Sequence, residues 1–378
     1  MKAVVLHHNL NKPGGEASLA IHTIESLHDI GYDVDLVTFQ KPDFEMIARI
    51  YGRMPPLKNI RCLLPFKVNY FGIYQRLLMS VPKPSFFDDA HVIINTNGDS
   101  LPYKIPHSTI CMLYVHFPIS LLSSQNNKYY RSQLWKAYFK PYQTIASTLT
   151  KRALTRSNIV IANSLFTRKA LVKAYPEIEA HVLYPPVDIE RFTTAYHSES
   201  RGRKVLVISR FSPEKQINKI LNLAKILDDD INFQVVGSLA PANWPYFNYI
   251  SKSINDQGLR HKVKLIPNAT NEELIEAMSS CNTYFHAMEG EHFGVSIIEA
   301  MAAGLTPIVP SRGGCSEIVS SQYQYNTVKE GAEKISAAIY KNSRSTREYF
   351  RNLAQRFSLP RFTKQLQQFI QYRVDSIK

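Results

Sequence analysis

The chain has 378 residues, of which 44% are hydrophobic and 20% charged, and its formal net charge is +14. This length predicts two α/β domains, and this composition excludes an intrinsically disordered chain. No apolar run reaches the ~20 residues that span a bilayer, and the N-terminus turns polar early, so we expect neither an integral membrane protein nor a classical secretory leader. Four scattered cysteines match no metal or redox spacing, which predicts free thiols in a reducing compartment.

The first half of the chain follows the pattern of a nucleotide-binding fold. Residues 3–6 predict a strand, residues 17–30 a helix, and Gly14-Gly15 lies between them. Glycine lets a backbone approach a phosphate closely, although two glycines before a helix are more often a plain turn. The alternating residues 32–39 predict a second strand, whose Asp33 and Asp35 we expect to point outward together.

Later strands place a histidine where open α/β sheets bind ligands. Residues 92–95 and 111–118 predict strands, and His116 lies at the carboxyl end of the second. A lone histidine is more often a structural hydrogen-bonding group than a catalyst. Residues 68–81 fit an amphipathic helix that packs on its own domain.

Positive charge is concentrated in residues 41–170, which contain 18 Lys and Arg but only 5 Asp and Glu. Within this range, residues 123–158 interleave aromatic and basic side chains without any acidic one. Rings and cations together suit an anionic membrane surface or another polyanion. We therefore expect residues 41–170 to contact an anionic membrane surface.

The second half alternates strands and helices, which predicts a parallel doubly wound sheet. A proline pair at residues 185–186 marks the boundary between domains 1–188 and 189–356. Arg210 and Lys215 follow the strand at 204–211 and could clamp two phosphates, although a solvated basic turn has the same pattern.

Residues 284–287 predict a strand, residues 289–294 a loop and residues 295–303 a helix, with Glu291 in the loop and Glu299 about one turn into the helix. The free backbone N–H groups of Gly294, Val295 and Ser296 favour an anion at the start of that helix. The alternative is a surface loop followed by an ordinary amphipathic helix.

The run from Glu291 to Gly304, followed by Gly313-Gly314, resembles the E-x7-E signature of the family 4 retaining glycosyltransferases. That resemblance implies the GT-B architecture, in which two Rossmann-like doubly wound parallel-sheet domains face a cleft. It implies a nucleotide-sugar donor on domain 189–356, an acceptor on domain 1–188, and a final helix, 357–378, that crosses back onto the first domain.

The resemblance also implies roles for individual residues. Glu291 would lie at the reacting centre, with His116, Arg210 and Lys215 as the other catalytic residues. The substrate-binding residues would be Gly14, Gly15, Asn268, Phe293, Gly294, Val295, Ser296 and Glu299. Asn268 would lie in the loop that contacts the nucleobase, and Glu299 would accept the ribose hydroxyls.

Residues 114–118, Tyr-Val-His-Phe-Pro, are similar to a segment of lipid-linked-oligosaccharide mannosyltransferases of the same family. This similarity favours GDP-mannose as the donor and a polyprenyl-diphosphate oligosaccharide as the acceptor. It implies a metal-independent enzyme without a cofactor, peripheral on the cytoplasmic face of a membrane. A UDP-sugar-dependent transferase, a GT-B sugar-nucleotide epimerase and a basic nucleic-acid-binding protein remain alternatives.

Overall fold

A computed structural model describes residues 1–11, 14–64, 73–99, 101–102, 104–106, 108–121, 133–199 and 201–377. Two compact units make up the chain: Met1–Pro186 with Leu359–Lys378, and Val187–Ser358. The chain therefore leaves the first unit directly after its proline pair and returns to it at residue 359.

The first unit contains a parallel sheet in the order β3-β2-β1-β4-β5-β6-β7. Its strands are β1 (Lys2–Leu6), β2 (Asp33–Thr38), β3 (Asn59–Cys62), β4 (Ala90–Asn95), β5 (Ile110–Val115), β6 (Ile159–Ala162) and β7 (His181–Val182). Its helices include α1 (Gly15–Asp29), α2 (Phe44–Tyr51), α3 (Gln133–Arg156) and α4 (Leu165–Ala174). Strands buried on both faces by helices need continuous apolar runs, and β4 and β5 have them.

The strand order reverses between β1 and β4, since β2 and β3 lie on one side and the later strands on the other. Such a reversal leaves a crevice outside the carboxyl ends of the strands, where ligands bind in open α/β sheets. Ser164 caps α4, because its hydroxyl accepts a hydrogen bond from the Thr167 N–H at 3.0 Å.

Two expectations about the first unit need correction. Asp35 does not point outward. Its side chain is buried, and the Asn59 amide donates a hydrogen bond to its carboxylate at 2.8 Å. Asn59 begins β3, a strand that the sequence analysis did not predict and that covers this edge of β2. Only Asp33 is exposed. The predicted helix over 68–81 is instead a short 3₁₀ helix, Tyr74–Ser80, and residues 68–72 lie outside the described part of the chain.

The second unit contains a parallel sheet in the order β10-β9-β8-β11-β12-β13. Its strands are β8 (Lys204–Ile208), β9 (Asn232–Gly237), β10 (Val263–Pro267), β11 (Thr283–Phe285), β12 (Thr306–Pro310) and β13 (Gln324–Tyr325). Its helices are α5 (Thr193–Tyr196), α6 (Asn218–Ile226), α7 (Trp244–Asp256), α8 (Asn271–Ser280), α9 (Val295–Ala302), α10 (Val328–Tyr340) and α11 (Arg344–Ala354) among the described residues. Here the order reverses between β8 and β11.

The last helix, α12 (Leu359–Ile377), belongs to the first unit. Its buried Phe362, Leu366 and Ile370 join the core beside α1, and the Ser26 and Thr363 hydroxyls are 2.8 Å apart. Within the described residues, no helix is both long and apolar enough to cross a membrane.

Candidate active site

A lysine and a glutamate meet at the reversal of the second sheet. Lys215 ends a 3₁₀ turn after β8, Glu291 lies in the loop after β11, and Lys215 Nζ is 2.5 Å from Glu291 Oε2. The side chains are only 15% and 16% exposed. Burial alone would raise the Glu291 pKa, but the Lys215 ammonium and the nearby His286 hold that pKa well below its usual range. Glu291 is therefore an ionised carboxylate at neutral pH.

A buried imidazole stands behind this pair. His286 Nε2 is 3.6 Å from Glu291 Oε2 and has no hydrogen-bond partner among the described residues. Its Nδ1 is 3.0 Å from the hydroxyl of Tyr284, which also lies 2.8 Å from Ser296 Oγ. Since Tyr325 donates to the His286 carbonyl at 2.9 Å, both the ring and its backbone are fixed. Sequence reasoning missed His286, although it directly follows a buried strand that ends at this edge.

The glycine pair after β12 allows the Glu291 loop to pack closely. Gly314 N–H donates to the Glu291 carbonyl at 2.7 Å. A Cβ at Gly313 would lie 2.7 Å from that same oxygen, and a Cβ at Gly314 would lie 2.0 Å from the His292 carbonyl oxygen. Any side chain at these positions would push the loop away, so the glycines fix the position of Glu291.

Helix α9 begins four residues after Glu291. Gly294 precedes it with φ of +108°, a conformation that favours glycine, and the Ile297 N–H bonds to the Gly294 carbonyl. The N–H groups of Val295 and Ser296 are in the first turn and lack intrahelical partners, which makes this end suitable for an anion. Glu299 follows one turn later and is partly buried.

Three other predicted residues have surroundings that the sequence did not indicate. The Phe293 ring is buried edge-on against Phe357, so only its backbone is available to a ligand. The Asn268 side chain accepts a hydrogen bond from Leu239 N–H at 2.8 Å and thereby ties two loops together. Arg210 is exposed, and no ion pair links it to the Lys215 and Glu291 pair within the described residues.

A second polar cluster lies at the reversal of the first sheet. His116 Nε2 is 2.7 Å from the Thr96 carbonyl, so this nitrogen donates. His7 Nδ1 is 2.9 Å from Thr96 Oγ1, and that hydroxyl donates to the Leu6 carbonyl at 3.1 Å. Burial lowers the His7 pKa to about 4, so the ring is neutral at physiological pH.

Arg76 and the start of α1 complete this cluster. Arg76 Nε donates to Asp99 at 2.8 Å, and its guanidinium lies 3.8 Å from Glu16. Gly14 adopts φ of +152° just before α1, and Gly15 is the first helical residue. The Tyr51 hydroxyl lies 3.2 Å from the Gly14 nitrogen and 3.3 Å from its carbonyl oxygen, within hydrogen-bonding distance of both. Sequence reasoning found the glycines and His116 but missed Arg76, because its partners lie far away in the chain.

Among the described residues, no three His, Cys, Asp or Glu side chains are grouped so that they could hold a metal ion. The ion pairs of the second unit include two that join residues after β8 to the loop after β11, namely Lys215 with Glu291 and Lys219 with Glu289.

Comparison with known proteins decides the family. The model for glycosyltransferase family 4 matches residues 13–191, and the model for glycosyl transferases group 1 matches residues 188–357. The chain belongs to glycosyltransferase family 4. This confirms the resemblance that was based on Glu291, Glu299 and the glycine pair.

Curated relatives of this family 4 glycosyltransferase include mannosyltransferases. The chain is 28% identical over 251 residues to a GDP-Man:Man(3)GlcNAc(2)-PP-Dol alpha-1,2-mannosyltransferase of Candida albicans, a match that covers 57% of the chain and 40% of the relative. It is 22% identical to the alpha-1,3/1,6-mannosyltransferase alg2 of Schizosaccharomyces pombe, covering 84% and 69%. The chain thus spans less than half the length of the Candida relative.

Solved structures confirm the GT-B fold predicted for this family 4 glycosyltransferase. Anabaena Alr3699/HepE in complex with UDP matches with a TM-score of 0.73 at 18% identity, covering 98% of this chain and 100% of that one. Sucrose-phosphate synthase from Thermosynechococcus elongatus matches with a TM-score of 0.74 at 16% identity, and the match covers both chains fully.

Proposed function

We propose that the protein transfers mannose from GDP-mannose to a lipid-linked glycan with retention of anomeric configuration. The observation that carries the proposal is the Lys215 and Glu291 ion pair beside the start of α9. This arrangement offers a cation and free N–H groups to a diphosphate and a carboxylate to the sugar. The names of the Candida and Schizosaccharomyces relatives favour mannose and, for the former, GDP-mannose.

The proposed chemistry replaces one bond at the sugar's anomeric carbon with another. The bond to the diphosphate oxygen breaks, and the acceptor hydroxyl attacks from the same face as the leaving group. Its proton passes to the departing phosphate oxygen. Negative charge grows on the diphosphate during this step, and Lys215, Arg210 and the N–H groups of Val295 and Ser296 stabilise it electrostatically without a metal.

Other predicted site residues bind or orient the substrates in this proposal. Glu299 accepts hydrogen bonds from the ribose hydroxyls. Asn268 borders the nucleobase through its backbone, since its side-chain oxygen already accepts a hydrogen bond from the Leu239 N–H. His116 accepts a hydrogen bond from a sugar hydroxyl at Nδ1, because its Nε2 already donates to the Thr96 carbonyl. Gly14 and Gly15 let a substrate that binds the first unit approach the backbone closely.

A thermal-shift series with GDP, GDP-mannose, UDP, UDP-glucose and UDP-N-acetylglucosamine tests the donor. A ligand that binds only the folded protein at 100 times its Kd stabilises it by about 2.7 kcal/mol. We expect GDP and GDP-mannose to raise the melting temperature more than the uridine ligands do. A selective response to the uridine ligands would contradict the mannosyl donor, and no response to any nucleotide would contradict the transferase site.

Mannosyl transfer to a polyprenyl-diphosphate oligosaccharide then tests the acceptor. Product should form only when both donor and acceptor are present, whereas an epimerase would turn over the nucleotide-sugar alone. We further propose that the protein works peripherally on the cytoplasmic face of a membrane, since a lipid-linked acceptor is anchored in a membrane.

A further inference from the structure

We infer that Phe357 is a positioning residue for the reacting loop, which we define as residues 289–294. Phe357 ends a 3₁₀ turn just before α12 and lies outside the loop that carries Glu291. This role rests on the proposed function and deepens it, because it adds to the transfer step a side chain that acts through the loop. The contacts of Phe357 connect the loop to the place where the chain passes between the two units.

The Phe293 side chain anchors the reacting loop in the interior of the second unit. Phe293 is only 2% exposed, and its ring meets the Phe357 ring edge-on, with centroids 5.7 Å apart and planes at 61°. This is a favoured geometry for two aromatic rings, because the positive edge of one faces the negative face of the other. The backbone of Phe293 leads directly back to Glu291, so a movement of the ring is passed on to that carboxylate.

The backbone around Phe357 is itself fixed. The Phe357 carbonyl accepts a hydrogen bond from the Val187 N–H at 2.8 Å, and a parallel bridge pairs Val187 with Ser358. Val187 is the first residue of the second unit and Ser358 the last, so the two passages of the chain are tied together at this point. Phe357 is therefore a fixed support for the Phe293 ring.

The other attachments of the reacting loop do not replace this support. The Gly314 N–H donates to the Glu291 carbonyl, and Lys215 pairs with the Glu291 carboxylate, so both act on Glu291 itself. Among residues 289–294, all of which the structure describes, only Phe293 is buried. The loop between Glu291 and α9 is thus held to the core through the Phe293 and Phe357 rings.

Helix α9 is anchored separately, because Ile297, Ile298 and Met301 are fully buried. Loss of the Phe357 ring should therefore displace Glu291 rather than the helix that binds the diphosphate. A displacement of about 1 Å at a reacting group can cost roughly a hundredfold in rate, so we expect Phe357→Leu to lower kcat roughly tenfold to a hundredfold. The KM for GDP-mannose should change little, because an interaction made only in the transition state lowers kcat alone.

Hydrogen exchange reports the position of the loop without any substrate. In Phe357→Leu, peptides that cover residues 288–294 and 311–318 should exchange faster by roughly a factor of two to ten, the effect of losing an aromatic pair on a local opening equilibrium. Phe233→Leu is the matched control, because Phe233 is 1% exposed on β9 in the core of the same unit. It removes the same atoms and should leave these peptides unchanged. Equal exchange in the two variants, raised or not, would overturn the positioning role.

Transfer kinetics separate positioning from packing alone. Phe357→Leu should lose turnover and Phe233→Leu should not, while both keep the wild-type thermal shift with GDP. Faster loop exchange with unchanged turnover in Phe357→Leu would overturn the positioning role. If Phe357→Leu does not melt cooperatively, Phe357→Met keeps more of the side-chain volume and takes its place, and wild-type exchange in that variant would overturn the role as well.

Failure of the proposed function has a different result. A wild-type protein that transfers no mannose would overturn that function alone, because loop exchange is measured without donor or acceptor. The comparison of Phe357→Leu with Phe233→Leu in the exchange experiment would then still decide whether Phe357 holds the reacting loop.

Discussion

Replacing Lys215 with alanine should damage both stability and turnover, because it leaves the Glu291 carboxylate without its cation. Breaking a buried ion pair by removing one partner costs about 3–5 kcal/mol, and this pair is largely but not fully buried, so we expect about 3 kcal/mol. Lys219→Ala is the matched control. It also breaks a lysine and glutamate pair at 2.5 Å, but Glu289 is much more exposed, so its cost should stay below about 1 kcal/mol.

The effect of Lys215→Ala should depend on pH with a defined sign. The pKa of Glu291 is depressed in the folded protein, so the carboxylate adds stability above its ordinary pKa of 4.5, and this is lost as pH falls through the depressed value. Without Lys215, burial remains and raises the Glu291 pKa. The difference in the free energy of unfolding between wild type and variant should therefore be largest at pH 7 and smaller below the ordinary pKa of Glu291.

Urea unfolding at several pH values and transfer kinetics together test this reasoning. Turnover should fall roughly a hundredfold or more in Lys215→Ala, since one positioned donor to a developing charge is worth about 2.7–4 kcal/mol. A variant as stable as Lys219→Ala at pH 7 and as active as wild type would refute the assignment of this pair to the site.

The other predictions concern neighbouring groups. Glu299→Ala should weaken donor binding by about 1.5–3 kcal/mol through lost hydrogen bonds to ribose, measured by calorimetry with GDP-mannose, and unchanged affinity would contradict that role. Transfer should proceed in EDTA, while Arg210→Ala should lower turnover roughly a hundredfold; activity that disappears with EDTA and returns with magnesium or manganese would refute the metal-free mechanism. His286→Phe should lower turnover about tenfold or more with little change in KM, because the polar ring lies 3.6 Å from the Glu291 carboxylate and helps to orient it electrostatically, and His286→Gln should recover part of the loss. If His286→Phe matches wild type, the imidazole is only structural.

Local sequence patterns determined the elements around the site. The strand at 284–287, the loop with Glu291 and the helix from Val295 were predicted within two residues of their observed bounds. Strand and helix periodicities, a cap residue and a glycine turn act over a few residues, so they can be recognised without knowing the rest of the fold. The E-x7-E spacing and the glycine pair also sufficed to indicate the family.

Only the tertiary structure decided which side chains meet. Lys215 and Glu291 are 76 residues apart and come together because β8 and β11 are neighbours at the reversal of the sheet. The same sheet order turns His286 toward Glu291, while close packing commits the Phe293 ring to the core. The unforeseen β3 likewise buried Asp35, because a strand is covered or exposed according to its neighbours in the sheet. Contacts between distant strands follow from strand order and burial, which no local spacing encodes.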